Sequence, residues 1–195
     1  MSFFDKVYEG IPDWDIGRPQ REFVRLEEAG EIRGSVLDAG CGTGEIALFL
    51  ASRGHEVLGI DSSSVAIAKA KEKAGRRELD IEFRVHDALE LWRLGRQFDT
   101  VIDSGLFHVF SDEERPLFVK SLASVLKAEG TYLMMCFSDR EPRGWGPRRI
   151  SERRIRLTFD TGWNIEYIRP ALFEANRPGG TAEAWLVSVR KQKTK

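Results

Sequence analysis

The sequence predicts an α/β chain, a three-layer sandwich around a mostly parallel seven-stranded sheet that ends in an antiparallel hairpin. Three observations carry this. Short apolar runs beginning at Val36, Val57, Ile81, Phe98 and Thr131 alternate with stretches of helical periodicity, and strands separated by helices pair in parallel. The first run enters a glycine turn, Gly40-Cys41-Gly42-Thr43-Gly44, that opens directly onto the helical run Glu45 to Arg53. The last third breaks the alternation, because Gly162–Ile168 and Glu183–Val189 read as strands with no helix between them and should pair as a hairpin.

Taken in order, residues 1–34 form a leader rich in aromatics (Phe3, Phe4, Tyr8, Trp14) that cannot make a core alone and is expected to pack across the mouth of a crevice as a lid. Within it, Arg21 to Ala29 places Phe23, Val24 and Leu26 at helical spacing before Gly30. Residues 35–137 form the core unit. The helix after the glycine turn carries Ile46, Phe49 and Leu50 and stops at Gly54; Ser62, Ser63 and Ser64 then cap a second helix that runs to Gly75. Ile81–Val85 is the third strand and Phe98–Asp103 the fourth. Ser111 and Glu114 have the spacing of a capping box, with Pro116 placing regular helix from about Arg115. Gly130 is expected to close that helix, and Thr131–Phe137 to form a buried fifth strand. Residues 138–195 follow: a loop, Ser138 to Arg149, in which proline and glycine mix with arginines around Trp145, then the hairpin and a basic tail, Arg190 to Lys195, expected to fray. The loop reads equally as an active-site flap or as an exposed linker.

Size and composition bound the rest. A chain of 195 residues, 42% hydrophobic, is long enough for one core and short for two, so a single domain over 1–195 is expected. A formal charge of −1 argues against a general nucleic-acid binder. No apolar run reaches membrane-spanning length, and Met1–Asp5 lacks the order of a signal peptide, so a cytoplasmic protein without a membrane partner, monomeric or homodimeric, is expected. Cys41 and Cys136 lack the spacing of a metal or redox motif, and no metal is expected.

The glycine turn lets a ligand lie on the backbone, and Asp61, ending the second strand seventeen residues past Gly44, is placed to accept both ribose hydroxyls of a nucleoside-bearing cofactor. Nicotinamide sites read Gly-x-Gly-x-x-Gly; this one reads Asp38-x-Gly40-x-Gly42-x-Gly44. That pattern resembles the first motif of the class I S-adenosylmethionine (SAM)-dependent methyltransferases, which have a Rossmann-like fold. The resemblance covers Val36 to about Phe137 and implies SAM as cofactor and S-adenosylhomocysteine as product. By it, Gly40 and Gly42 line the methionyl and ribose parts of SAM and Asp38 sits near its amino group. Asp87 would bond the adenine amino group and the Ala88 backbone would meet the ring. Cys41, Asp61, Ser62, Asp103 and Ser104 complete the expected core contacts. The leader Trp14-Asp15-Ile16-Gly17-Arg18 is similar to that of thiopurine and halide/thiol methyltransferases, which adds Trp14 and Arg18 at the methionyl end.

A sulfonium methyl group is already activated, so such a protein need only align a nucleophile and keep water out. The loop Ser104–Phe110, delivered by the fourth strand, is expected to meet the acceptor, with Phe107, His108, Trp145 and Arg148 as substrate contacts. His108 is the candidate base or orienting group; packing between Phe107 and Val109 is the competing reading. The fourth strand lacks the Asn/Asp-Pro-Pro-aromatic element of nucleobase amino methylation, and no Pro-Cys pair serves cytosine C5 chemistry. The expected acceptor is therefore a small molecule methylated at O, N or S, a phenolic compound or a hydroxylated or nitrogen heteroaromatic, including quinone- or quinolone-like compounds. A thiol or halide acceptor, a non-catalytic SAM-binding regulator and, more distantly, a nicotinamide oxidoreductase are the alternatives.

Overall fold

The computed structural model describes residues 3–144 and 146–193. Helices α1 (Phe3–Tyr8) and α2 (Arg21–Glu28) precede β1 (Ser35–Ala39), α3 (Glu45–Ser52), β2 (Glu56–Asp61), α4 (Ser64–Arg76) and β3 (Glu82–Val85). The chain then runs through β4 (Phe98–Ser104), α5 (Glu114–Val125), β5 (Leu126–Phe137), α6 (Glu152–Thr158), β6 (Trp163–Glu174) and β7 (Thr181–Lys191). The sheet order is β3-β2-β1-β4-β5-β7-β6. The first five strands pair in parallel, and β7 inserts antiparallel between β5 and β6. The three-layer, mostly parallel sheet with an antiparallel ending is thus present.

Alternation along the strands divides the core between the two faces. Leu37, Leu58, Ile60 and Val101 pack with α5 and α6 through Phe118, Leu122 and Ile155. Val36, Val57 and Ile102 pack with α2, α3 and α4 through Phe23, Leu48 and Ile67. Among the described residues no helix is long and apolar enough to cross a membrane.

Several boundaries differ from expectation. Gly130 does not close α5: Leu126 turns extended (φ −85°, ψ 131°) and pairs with Phe98, so β5 starts five residues before Thr131. The ladder shifts register between Phe98 and Thr100, and Glu129 takes φ 62° there. The helical pattern of α5 hid this because Lys127 and Ala128 suit either state. Helix α5 itself starts at Glu114, with the reciprocal capping box formed: Ser111 Oγ accepts the Glu114 N–H (3.1 Å) and Glu114 Oε2 accepts the Ser111 N–H (2.8 Å). A 3₁₀ segment, Ala88–Leu94, fills a stretch given no element from the sequence. The start of the basic tail is held rather than frayed: Lys191 Nζ donates to the Ala123 and Leu126 carbonyls, while Thr194 and Lys195 lie outside the described residues.

Phe83 of β3 lies across β2 and the glycine turn, and two glycines make room for it. A Cβ on Gly59 would stand 2.5 Å from its ring, and one on Gly44 2.8 Å. Gly59→Val should therefore lower stability by about 1–3 kcal/mol through overpacking. Gly75→Ala, in α4 with nothing near its Cβ, should raise stability by up to about 1 kcal/mol. Urea denaturation of the two variants would show opposite shifts in midpoint; a neutral Gly59→Val would mean that Phe83 has another place to go.

Candidate active site

A cleft of about 740 Å³ lies over the carboxyl ends of β1 to β4, where the strand order reverses between β1 and β4. Its floor is the glycine turn. Gly40, Gly42 and Gly44 all take left-handed φ (72°, 54° and 84°), and a Cβ at Gly42 would meet Tyr8 Oη at 2.6 Å.

Two carboxylates flank the turn. Asp61 ends β2; its Oδ2 accepts the Gly42 N–H (2.9 Å) and its Oδ1 the Ser63 N–H (2.8 Å), so the turn is fixed to the end of the neighbouring strand. Burial raises its pKa, and the bonds from Ser63 and Gly42 oppose that. Asp38, at the end of β1, is 2% exposed and leaves Oδ2 without a hydrogen-bond partner among the described residues. Burial, followed by the nearby charge of Asp103, pushes its carboxyl up to about 8. An orphaned buried carboxyl beside a backbone cradle is a seat for a cation, whose charge would favour its ionised form. Ser62, Ala88, Cys41, Ser104 and Asp87 also line the cleft; Asp87 accepts the Leu89 N–H (2.8 Å), which orients the start of the 3₁₀ segment. Desolvation holds the Cys41 thiol well above its ordinary range, which favours the neutral thiol over the thiolate.

The leader is strapped over this cleft. Asp5 accepts from Ser63 Oγ (2.8 Å), and Trp14 Nε1 donates to Tyr8 Oη (3.0 Å). Thr43 Oγ1 donates to Asp15 Oδ2 (2.9 Å), and Lys73 Nζ bonds both Thr43 and Glu45 (2.7 Å each). On the far side Arg18 grips Glu174 with two bonds of 2.9 and 2.8 Å, which hold the Glu174 carboxyl down at about 2. Trp14 and Arg18 both line the cleft, Arg18 with its charge engaged by Glu174.

His108 lines the other end. Its Nδ1 accepts the Phe137 N–H (2.9 Å), which places the ring proton on Nε2. Burial, then the charge of Arg149, lowers its pKa to about 3. The ring is thus neutral and presents a donor, which corrects the expectation of a general base and leaves the orienting role. Phe137 (4.8 Å) and Phe173 (5.9 Å) stand beside it, 5.4 Å from each other. Arg148 lines the same end and donates to the Val109 carbonyl (3.1 Å). Trp145 lies outside the described residues.

Asp103 and Phe107, expected at the cofactor and the acceptor, do not line the cleft. Asp103 is fully buried on the α5 face, where it accepts from Leu106 N (2.6 Å), Phe107 N (2.9 Å) and Tyr132 Oη (2.7 Å) and so shapes the turn after β4. Burial drives its pKa up to about 7, with the Tyr132 bond opposing. Phe107 packs between Phe118 and Phe159. Phe137 and Phe173 were missed as site residues: the first read as an ordinary strand terminus, and the second lies beyond the predicted end of its strand. Among the described residues no three His, Cys, Asp or Glu cluster as a metal site.

A glycine-floored crevice at the strand-order reversal, lined by Asp38, Asp61 and Asp87, defines the class of proteins built to hold a nucleoside-bearing cofactor. Comparison with known proteins agrees. Residues 36–130 match a family described as methyltransferase domain. The chain is 37% identical to a 2-heptyl-1-hydroxyquinolin-4(1H)-one methyltransferase of Mycobacteroides abscessus, over 92% of this chain and 84% of that one. It is 30% identical to thiocyanate methyltransferase 1 of Brassica oleracea, over 76% of this chain and 67% of that one. A solved structure from work on the conversion of a disulfide bond into a thioacetal group during echinomycin biosynthesis superposes with a TM-score of 0.90 at 38% identity, covering 98% of this chain and 93% of the other. The chain belongs to the SAM-dependent methyltransferases, and it is an enzyme of the group that contains these small-molecule methyltransferases.

Proposed function

We propose that this enzyme methylates a heteroatom, foremost an oxygen, of a flat hydroxylated heteroaromatic small molecule held between His108, Phe137 and Phe173. The observation that carries this is the neutral His108 ring, which offers Nε2–H from a wall of two phenylalanines. Aromatic faces hold a flat ring, and one buried donor fixes which acceptor oxygen turns toward it. An acceptor hydroxyl acidic enough to ionise in solution needs no base, in keeping with a histidine whose pKa burial lowers to about 3. The hydroxyquinolinone methyltransferase relative supports this acceptor class.

The cofactor residues fit SAM: the Asp38 seat suits its ammonium, Asp61 with Ser62 the ribose, Asp87 and Ala88 the adenine, and the cradle of Gly40, Cys41 and Gly42 its spine. Ser104, Trp14 and Arg18 would close the methionyl end. When bound, SAM supplies an electrophilic methyl group. The protein holds the acceptor in line and, through the strapped leader, keeps water out. We place the enzyme in the cytoplasm as a single-domain monomer or homodimer, without a nucleic-acid partner. A sulfur acceptor, a thiol or a thiocyanate-like anion, is the second reading, supported by the thiocyanate methyltransferase relative and by the little help from a base that such a nucleophile needs.

The test is transfer of labelled methyl from SAM to 4-hydroxyquinoline, 1-hydroxyquinolin-4-one and thiophenol. Labelled product is expected from the hydroxylated rings. His108→Phe should lower kcat/KM at least tenfold while S-adenosylhomocysteine affinity changes less than about threefold, and His108→Gln, which can accept and donate, should recover part of the loss. Labelling of the thiol alone would move the assignment to the second reading. Tight adenosyl binding with none of the three labelled would overturn both acceptor assignments.

A further inference from the structure

A second cavity, of about 820 Å³, lies on the outer side of the flap, and Gly146, Pro147 and Arg148 line both it and the cleft. Five guanidinium groups line it: Arg115, Arg143, Arg148, Arg149 and Arg154. Four carboxylates share the lining, but two of them are engaged. Glu141 pairs with Arg177 (3.0 Å) and accepts the Glu183 N–H (2.7 Å). Asp112 bonds Arg115 (2.6 Å) and reaches Arg154 at 3.4 Å. Glu113 and Asp139 are the remaining pair.

Two of the arginines bond main-chain carbonyls and form no ion pair among the described residues, although Arg148 lies near enough to Asp112 and Glu113 to help hold their carboxyls down. Arg148 donates to Val109; Arg149 donates to Glu141 (3.2 Å), Pro147 (2.6 Å) and Pro142. Arg115 is 4% exposed, lies over the Phe107 ring and is bonded to Asp112, so it forms the fixed inner wall of the cavity. A cavity lined by forked cations matches planar or tetrahedral oxyanions.

We propose that this cavity is an oxyanion site that takes a carboxylate or phosphate group next to the acceptor cleft. Because the flap forms a wall of both cavities, an anion bound here would fix Arg148 and Pro147 against the acceptor. Where the anion is a substituent of the acceptor itself, the role rests on the methyl-transfer reading above; the oxyanion site does not.

The experiment is calorimetric titration of the full chain with inorganic phosphate at low ionic strength, for the wild type, Arg154→Ala and Arg143→Ala, with S-adenosylhomocysteine titrated into the same samples. Phosphate should bind the wild type and bind Arg154→Ala at least about fivefold more weakly, while S-adenosylhomocysteine affinity stays unchanged. Methyl transfer to 4-hydroxyquinoline and to its 2-carboxylate, each with added phosphate, separates the two sources. A phosphate-dependent rise in KM for the carboxylate alone means an anion carried by the acceptor; no competition with either means a free oxyanion. Absent phosphate binding, or binding that neither substitution alters, overturns the site. Failure of the methyltransferase reading would show separately, as loss of S-adenosylhomocysteine binding by the wild type.

Discussion

Asp61→Ala should weaken S-adenosylhomocysteine binding by about 100-fold or more, the loss expected when a carboxylate that accepts two charge-assisted hydrogen bonds from a ribose is removed. The substitution acts twice. It removes the acceptor, and it leaves the Gly42 and Ser63 N–H groups without the oxygens that fix the glycine turn to β2. Asp61→Asn separates the effects: the amide oxygen can keep one backbone bond, so the turn should persist while the affinity still falls by about tenfold. Calorimetry with S-adenosylhomocysteine and NAD, backed by the melting temperature of each variant, is the check. Unchanged S-adenosylhomocysteine affinity in a folded Asp61→Ala would remove this residue from the cofactor site, and tight NAD binding would contradict the fit of the cleft to SAM.

The strand ends were legible because what places them is local. Buried parallel strands are short apolar runs, and a left-handed turn needs glycine, so Asp38, Gly40 to Gly44 and Asp61 fall into line from one stretch of chain. Residues brought in by long-range pairing were harder to read. Phe173 reaches His108 only because β6 continues past Ile168, where the apolar pattern of the strand gives out, as far as Glu174, and because β7 ties that extension back to β5. The error at Asp103 has another origin. An acidic strand terminus reads as a ligand whichever side it faces, and here the strand turns the carboxylate onto Tyr132 and the two N–H groups of the following turn. His108 likewise has the composition of a base, and only the Phe137 N–H, supplied by another strand, fixes its proton on Nε2 and makes it a donor.

Asp38 yields the second large effect, in the coupling of cofactor binding to protons. With its carboxyl raised to about 8 by burial and by Asp103, Asp38 is mainly protonated at neutral pH in the empty protein. An ammonium group placed against the orphaned Oδ2 favours the ionised form, so binding should expel about one proton near pH 7. Since the complex holds fewer protons than the free protein, affinity should rise with pH, by up to about tenfold per unit between pH 6 and 7.5, and level off near 8. Stability of the empty protein has the opposite slope. The folded pKa values of Asp38 (about 8) and Asp103 (about 7) exceed the ordinary value of 3.8, so the native state binds more protons than the unfolded chain in that window. Stability is then full below about pH 4 with respect to these groups and falls as pH rises through their folded values. S-adenosylhomocysteine titrated at pH 7 in buffers of different ionisation enthalpy gives the proton count directly. Asp38→Asn should abolish both the proton release and the pH slope, and lower affinity at pH 7.5 by about 30- to 100-fold. An affinity that is flat between pH 6 and 7.5, with no buffer dependence in the wild type, would mean that the cofactor's ammonium sits elsewhere and that the Asp38 carboxyl stays protonated in the complex.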